Sequence, residues 1–426
     1  MSTLSFAPVK LGRYLLWGGF ALILALAPLA FNKGAALSIL SQIGTVMIFG
    51  LSYNMLLGQG GMLSFGHAVY SGLGAFFAIH AMNRAGAGIA VPTSLIPLVG
   101  GLAGMGVGIL FGYVTTRKSG TTFAMITLGL VELVFASSLM FPGFFGGEGG
   151  VTTNRVTGTP VLGISYGPQI QVYYLIACWL FASTIAMYAF THTPLGRMIN
   201  AVRDNPERVE FIGYDAQWVR YLTLILSAFF AGISGGLSAI NFEIVSAENV
   251  SAIRSGSILL FVFIGGAGFF FGPLLGAVVG IFFSVMLSDY TPAWQLYLGL
   301  FFVVLVRYAP AGLASLMMLL LRTVRFGKFG RIWKPLLAVC ASTAIGLAGL
   351  VMGIEMLYHL TLESANGSTM TLFGRLVDTK ASVPWCVALA LMAIGIVGYR
   401  RLQPGYGAAW HEVNAEIVAR LSGRSP

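Results

Sequence analysis

Residues 93–115 read TSLIPLVGGLAGMGVGILFGYVT, an unbroken stretch without a charged side chain. About 20 mainly apolar residues are needed to cross a bilayer as a helix. Gly100, Gly104, Gly108 and Gly112 stand four apart and so fall on one helical face. In lipid there is no hydrophobic drive between helices, and such stripes of small residues let two backbones approach and pack. Helices are the required solution because every N–H and C=O in lipid must find a partner inside its own segment. A closed barrel would instead show ten-residue alternation.

Working outward, similar runs occupy approximately 14–31, 37–57, 62–82, 120–141, 170–190, 219–240, 256–271, 273–290, 294–309, 335–357 and 384–400. The reading is therefore all-α: a polytopic transmembrane helical bundle of about 10–12 spans, with no soluble domain. The pair 256–290 is either two closely joined spans or one broken element, since only Gly272-Pro273 separates its halves. Composition agrees. The 426 residues are 57% hydrophobic and 9% charged, against roughly 25% charged for a soluble domain. This excludes a soluble enzyme, a disordered chain and a nucleic-acid binder. The formal charge of +10 is explained by basic loops beside membrane segments. Cys178, Cys340 and Cys386 lie in apolar runs without paired spacing, so neither a disulfide frame nor a zinc site is expected.

Orientation follows from the cations. With a cytoplasmic N-terminus, eighteen of the 24 Lys and Arg fall inside, from Lys10 and Arg13 to Arg420 and Arg424. Lys33, Arg84, Arg155, Arg254, Arg375 and Lys380 fall outside. That bias places both termini in the cytoplasm. Lys10, Arg13 and Ala25-Leu26-Ala27 also fit a cleaved signal peptide, but the run 14–31 exceeds the usual apolar core of one.

Chemistry is sparse. Gly232-Ile233-Ser234-Gly235-Gly236 matches a nucleophile elbow but lies inside an apolar helix. No phosphate-binding loop of the Walker type is present, so any ATP must be held by another subunit. Glu132 sits near the middle of 120–141, where an ionised acid costs roughly 2.5–3.5 kcal/mol on insertion scales. It is either a functional acid or an interhelical hydrogen-bonder. Gln42, Asn54, Ser64 and His67 form a second polar group around 37–82. Two glycine-rich interruptions, Gly58-Gln59-Gly60-Gly61 and Gly265-Gly266-Ala267-Gly268 with Gly272-Pro273, lie in opposite halves of the chain. Such paired breaks point to an internal repeat and a transporter's binding site, or to tight turns.

The inside loop 191–218 is the most highly charged. Asn205 can cap a short helix, Pro206 can begin it and Gly213 can stop it, which predicts a helix near 206–212 with Glu207 in its first turn. Val209 and Ile212 offer an apolar edge. A helix this short is not stable alone and needs a membrane surface or a protein groove, unless the segment is simply a solvated connector.

Leu56-Leu57-Gly58-Gln59-Gly60-Gly61-Met62-Leu63-Ser64-Phe65-Gly66-His67-Ala68 resembles the N-terminal signature of LivM/LivH-type permeases, the membrane subunits of bacterial branched-chain amino acid ABC importers. Further pieces follow in family order: Thr127–Glu132, the turn Gly146–Gly150, Leu195-Gly196-Arg197 through Arg203-Asp204 to Ile212-Gly213, Ala228–Gly232, Gly265–Ala277 and Ala309–Leu313. The resemblance covers roughly 35–320. Asn205-Pro206-Glu207-Arg208 departs from the acidic, alanine-rich stretch often found there, and nothing after 325 matches. It implies residues 1–34 as an N-terminal segment with the first span, 35–324 as the permease core and 325–426 as an extension with two more spans.

The resemblance further implies a second homologous permease subunit, two cytoplasmic ATPases and a periplasmic solute-binding protein, in the bacterial inner membrane. ATP and Mg would reside on partner subunits, with no cofactor on this chain, which is then no enzyme. Arg203, Asp204, Pro206, Glu207, Arg208, Glu210, Ile212 and Gly213 would couple to an ATPase. By polarity and depth, Asn54, Ser64, His67 and Glu132 are candidates for the translocation path. The substrate suggested is a branched-chain or similar small amino acid; alternatives are urea, short amides or aromatic carboxylates, or a self-contained secondary transporter or channel.

Overall fold

The computed structural model describes residues 11–31, 33–86, 92–157, 164–362, 367–372 and 374–421. Lys10 and Arg424 of the orientation tally lie outside them. The order begins α1 (Leu11–Ala30), α2 (Gly34–Asn54), α3 (His67–Gly86), α4 (Ile96–Thr115), α5 (Gly120–Met140) and a single turn, α6 (Pro142–Phe145). It continues with α7 (Gln169–His192), α8 (Pro194–Asp204), α9 (Pro206–Phe211), α10 (Ala216–Phe242), α11 (Ala252–Gly265), α12 (Gly272–Ile281) and α13 (Trp294–Tyr308). Last come α14 (Leu313–Arg325), α15 (Phe329–Leu362) and α16 (Ser382–Leu421). Short ribbons pair β1 (Val151–Thr152) with β2 (Ile244–Val245), and β3 (Thr369–Leu372) with β4 (Arg375–Asp378), both antiparallel.

Each expected apolar run contains a helix, although the run 62–82 becomes helical only from His67. Seven helical stretches among the described residues are long and apolar enough to cross a membrane alone, eight if α13 and α14 count as one span. The region 256–290 is broken: α11 ends at Gly265, Gly266 takes φ +108°, and α12 starts at Gly272. Some helices were not anticipated as such. Residues 194–204, within the inside loop, form α8; residues 142–145 and 313–325, beyond the expected spans, form α6 and α14; and the end of α2 runs on as one wide turn, Met55–Gln59, with i→i+5 bonding. The order of elements does not display the expected internal repeat.

The chain divides into two compact units. The first comprises residues 1–290 and 298–314. Its centre is α10, whose apolar stretch is 83% buried. The glycine stripe of α4 lies against it, as the four-residue spacing requires. A Cβ on Gly100 would lie 2.6 Å from the Gly232 carbonyl oxygen, one on Gly104 2.5 Å from that of Ala228, and one on Gly108 2.8 Å from the Ala228 methyl. On another side α10 is tied to α2, with Ser227 Oγ donating to the Ser52 carbonyl at 2.6 Å and Ser234 Oγ to that of Thr45 at 2.7 Å. Hydroxyls bonded across helices satisfy polar groups that lipid could not. At the end of the bundle carrying the β1–β2 ribbon, the Arg155 amide donates to Glu243 Oε1 (2.8 Å) and its guanidinium to the Gly167 carbonyl (3.0 Å).

The second unit comprises residues 291–297 and 315–426. Here α15 and α16 form an antiparallel hairpin on small residues: a Cβ on Gly349 would lie 2.6 Å from the Ala388 carbonyl, and Ser342 Oγ donates to the Gly395 carbonyl at 2.9 Å. At 40 residues α16 is about 60 Å long, twice the hydrocarbon thickness of about 30 Å. Its C-terminal part is accordingly amphipathic. Val413 and Ile417 pack on Ile332, while Lys328 pairs with Glu416 at 2.8 Å.

Candidate functional site

Four sequence motifs distant from one another meet at the end of the first unit opposite the β1–β2 ribbon. The α2–α3 break packs on the α11–α12 break: a Cβ at Gly58 would overlap the Ala267 carbonyl, and Asn54 Nδ2 donates to the Phe269 carbonyl at 3.3 Å. The α11–α12 break in turn lies on the turn that follows α13, where a Cβ at Gly266 would stand 2.5 Å from the Ala311 carbonyl. Arg203 of α8 reaches the α2–α3 break from below, donating from its guanidinium to the Gly58 carbonyl at 2.6 Å while holding Asp204 Oδ1 at 3.0 Å. Only glycine leaves room for these backbone-to-backbone approaches.

Beneath this junction lies α9. Asn205 Oδ1 accepts from the Arg208 amide at 3.0 Å, Pro206 is the first helical residue and Gly213 has φ +91°, as its turn chemistry predicts. Asp215 then caps α10 by accepting from the amides of Gln217 and Trp218. The expected apolar edge needs correction. Val209 is buried (2% exposed) and anchors α9 to its neighbours, whereas Phe211 (89%) and Ile212 (66%) stand out bare. Glu207, Arg208 and Glu210 are exposed around them. Phe211 was missed because helical spacing from Val209 assigns it to no common face; it lies in the last turn, where the chain leaves the helix.

The path candidates separate. Ser64 and His67 meet the end of α2 through Tyr53 and Ser52, while Asn54 faces the α11–α12 break; all three are buried. Tyr53 OH donates to the Ser64 carbonyl (2.9 Å) and accepts from the Ser64 amide (3.2 Å). His67 Nε2 shares a hydrogen bond with Ser52 Oγ at 3.0 Å, and its ring stacks on Phe49. Asn54 Oδ1, Ser64 Oγ and His67 Nδ1 have no partner. Glu132 is not with them. It lies on an exposed face of α5, while the buried face of that helix offers Thr127, whose Oγ1 accepts from the Phe65 amide at 3.1 Å. Arg254, counted among the outside cations, stands in the first turn of α11. Among the described residues no His, Cys, Asp and Glu cluster could hold a metal ion.

A bundle of glycine-seamed apolar helices with broken elements meeting at one end is the architecture of a multi-span membrane protein. Residues 35–309, well over half of the chain, match the family described as branched-chain amino acid transport system / permease component, and the chain belongs to that family. The high-affinity branched-chain amino acid transport system permease protein LivM of Salmonella typhimurium is 26% identical over 314 residues, covering 68% of this chain and 73% of the relative. A probable branched-chain amino acid transport permease protein LivM of Methanocaldococcus jannaschii is 25% identical over 313 residues, 66% of this chain and 84% of the relative. The fructose import permease protein FrcC of Rhizobium meliloti is 27% identical over 245 residues, 49% of this chain and 62% of the relative. No solved structure matches.

Proposed function

We propose that this chain is the permease subunit of an ATP-driven importer that moves branched-chain or similar small amino acids from periplasm to cytoplasm across a bacterial inner membrane. Its termini would be cytoplasmic. A second permease, two ATPases carrying ATP and Mg, and a periplasmic binding protein would complete the assembly. The observation that carries this reading is α9: a capped helix of one and a half turns, anchored by Val209, presenting Phe211 and Ile212 bare. A motif this short holds its exposed apolar tip usefully only against a partner groove.

The coupling residues then have distinct roles. Pro206 and Gly213 fix the ends of α9, Glu207, Arg208 and Glu210 surround its tip, and Ile212 extends the apolar contact. Arg203, held by Asp204, transmits displacement to the Gly58 carbonyl and so to the α2–α3 and α11–α12 breaks. Asn54, Ser64 and His67 sit where that displacement arrives; Glu132, on the exposed face of α5, would act toward the partner permease. The names of the amino acid relatives support the substrate class, while the fructose relative makes a sugar the second reading.

Reconstitution tests this. Vesicles containing the two permeases and ATPases, supplied with binding protein and internal ATP, are expected to accumulate leucine; vesicles with this chain alone are expected to show no flux. Uptake by the chain alone would establish a self-contained transporter instead. Fructose uptake without leucine uptake would replace the substrate.

A further inference from the structure

Among the described residues no ion-pair partner stands against Arg254, and α3 serves as a ruler for its depth. Near the outer end of α3, Asn83 Nδ2 donates to the carbonyl of Thr152, in the β1–β2 ribbon. Fifteen residues earlier in the same helix (68 against 83), the Ala68 amide donates to Ser255 Oγ at 3.0 Å. At 1.5 Å per residue the descent is about 22 Å. Between these levels residues 247–250 pass beside Gly72, whose Cβ would lie 2.5 Å from the Asn249 carbonyl. The backbone therefore turns down along α3 before α11 begins. Arg254, adjacent to Ser255, lies deep within a hydrocarbon layer of about 30 Å.

Among the described residues no carboxylate lies within 4 Å of this guanidinium, Glu132 included. It stands over the ring of Phe49, 6.0 Å from the centroid. Phe49 stacks on His67, which meets Tyr70 edge-on. His67 Nδ1 and the Tyr70 hydroxyl are both unpartnered, in side chains at most 1% exposed. Arg254 itself is only partly buried and remains reachable. An ionisable residue at this depth ordinarily pairs with another group or marks a substrate path. The N-terminus of a helix starting inside the membrane adds positive potential, an arrangement discontinuous transporter helices use for anionic substrate groups.

We propose that Arg254 is the carboxylate-binding contact of the membrane passage, taking the anionic end of a small organic acid or amino acid. This rests on the import reading above and names the chemistry recognised within the bilayer.

The test uses permeases and ATPases assembled in nanodiscs without binding protein. Two probes divide leucine: 4-methylpentanoate keeps the carboxylate without the amine, and 3-methylbutylamine keeps the amine without the carboxylate. The acid is expected to raise the unfolding temperature and the amine is not; Arg254→Gln abolishes the rise and Arg254→Lys retains part of it. In ATP-loaded vesicles with binding protein, Arg254→Gln is expected to lower leucine uptake by about tenfold or more, the effect of losing a charge-assisted hydrogen bond. An acid-induced rise that survives Arg254→Gln, or is absent from the wild type, overturns the proposal. So does release of the second permease by Arg254→Gln with Arg254→Lys restoring assembly but no acid response, since Arg254 would then pair subunits. An Arg254-dependent acid response without leucine uptake by the wild type would leave the site standing and refute the substrate reading alone.

Discussion

Gly104 and Gly106 occupy one helix two positions apart and have opposite surroundings. A Cβ on Gly104 would meet the Ala228 carbonyl of α10 at 2.5 Å, whereas one on Gly106 meets nothing within 4 Å. Gly104→Leu is therefore expected to lower the unfolding temperature of the detergent-purified chain. The cost is about 1–3 kcal/mol or more, as overpacking displaces backbone that cannot yield. Gly106→Leu should leave melting unchanged, because no atom of the chain stands within 4 Å of its Cβ position; equal effects of the two would refute the seam. Arg203→Ala removes the hydrogen bond to the Gly58 carbonyl. The expected outcome is continued ATP hydrolysis with less leucine imported per ATP, read by measuring both in the same vesicles. The stripe that makes Gly104 critical was legible in the sequence as four glycines at helical spacing. The partner of Arg203 was not, since 145 residues separate it from Gly58 and no local pattern records such a meeting.

At the scale of the element, α9 was readable because its determinants are local. Asn205, Pro206 and Gly213 act through their own backbone geometry, and the observed Pro206–Phe211 ends within one residue of the expected stop. Which residues it presents was not readable. Val209 is buried because α8 and α10 happen to cover it, and Phe211 is bare because nothing does. Phe211→Ser combined with Ile212→Ser is accordingly expected to reduce co-purification of the ATPases without lowering the melting temperature of the permease. Val209→Ser should lower melting, since it removes the anchor. An unchanged ATPase yield from the double variant would count against the docking role of this tip. The same distinction separates α5 from its acid: the sequence placed Glu132 in mid-span, but packing turned the Thr127 face inward and left Glu132 outside.

For the whole molecule, the family match ends at 309 while the chain continues through a second unit with its own glycine seam and ion pairs. A chain ending at Arg325 is expected to keep the unfolding temperature of the first unit, since the α2, α3, α4 and α10 seams lie wholly before that point; loss of folding on truncation would refute the independence of the two cores. By itself the sequence determined the solvent of this protein, its long apolar helices and the cap chemistry of α9. Lipid demands continuous apolar length, and helix ends obey rules that act over a few residues. Tertiary structure alone decided which glycine breaks touch, that His67 is enclosed and Glu132 is not, and that Arg254 descends along α3 with no ion-pair partner among the described residues. In a chain apolar on nearly every face, the pattern of hydrophobic residues cannot say which face meets protein and which meets lipid; only the fit of backbone against backbone does.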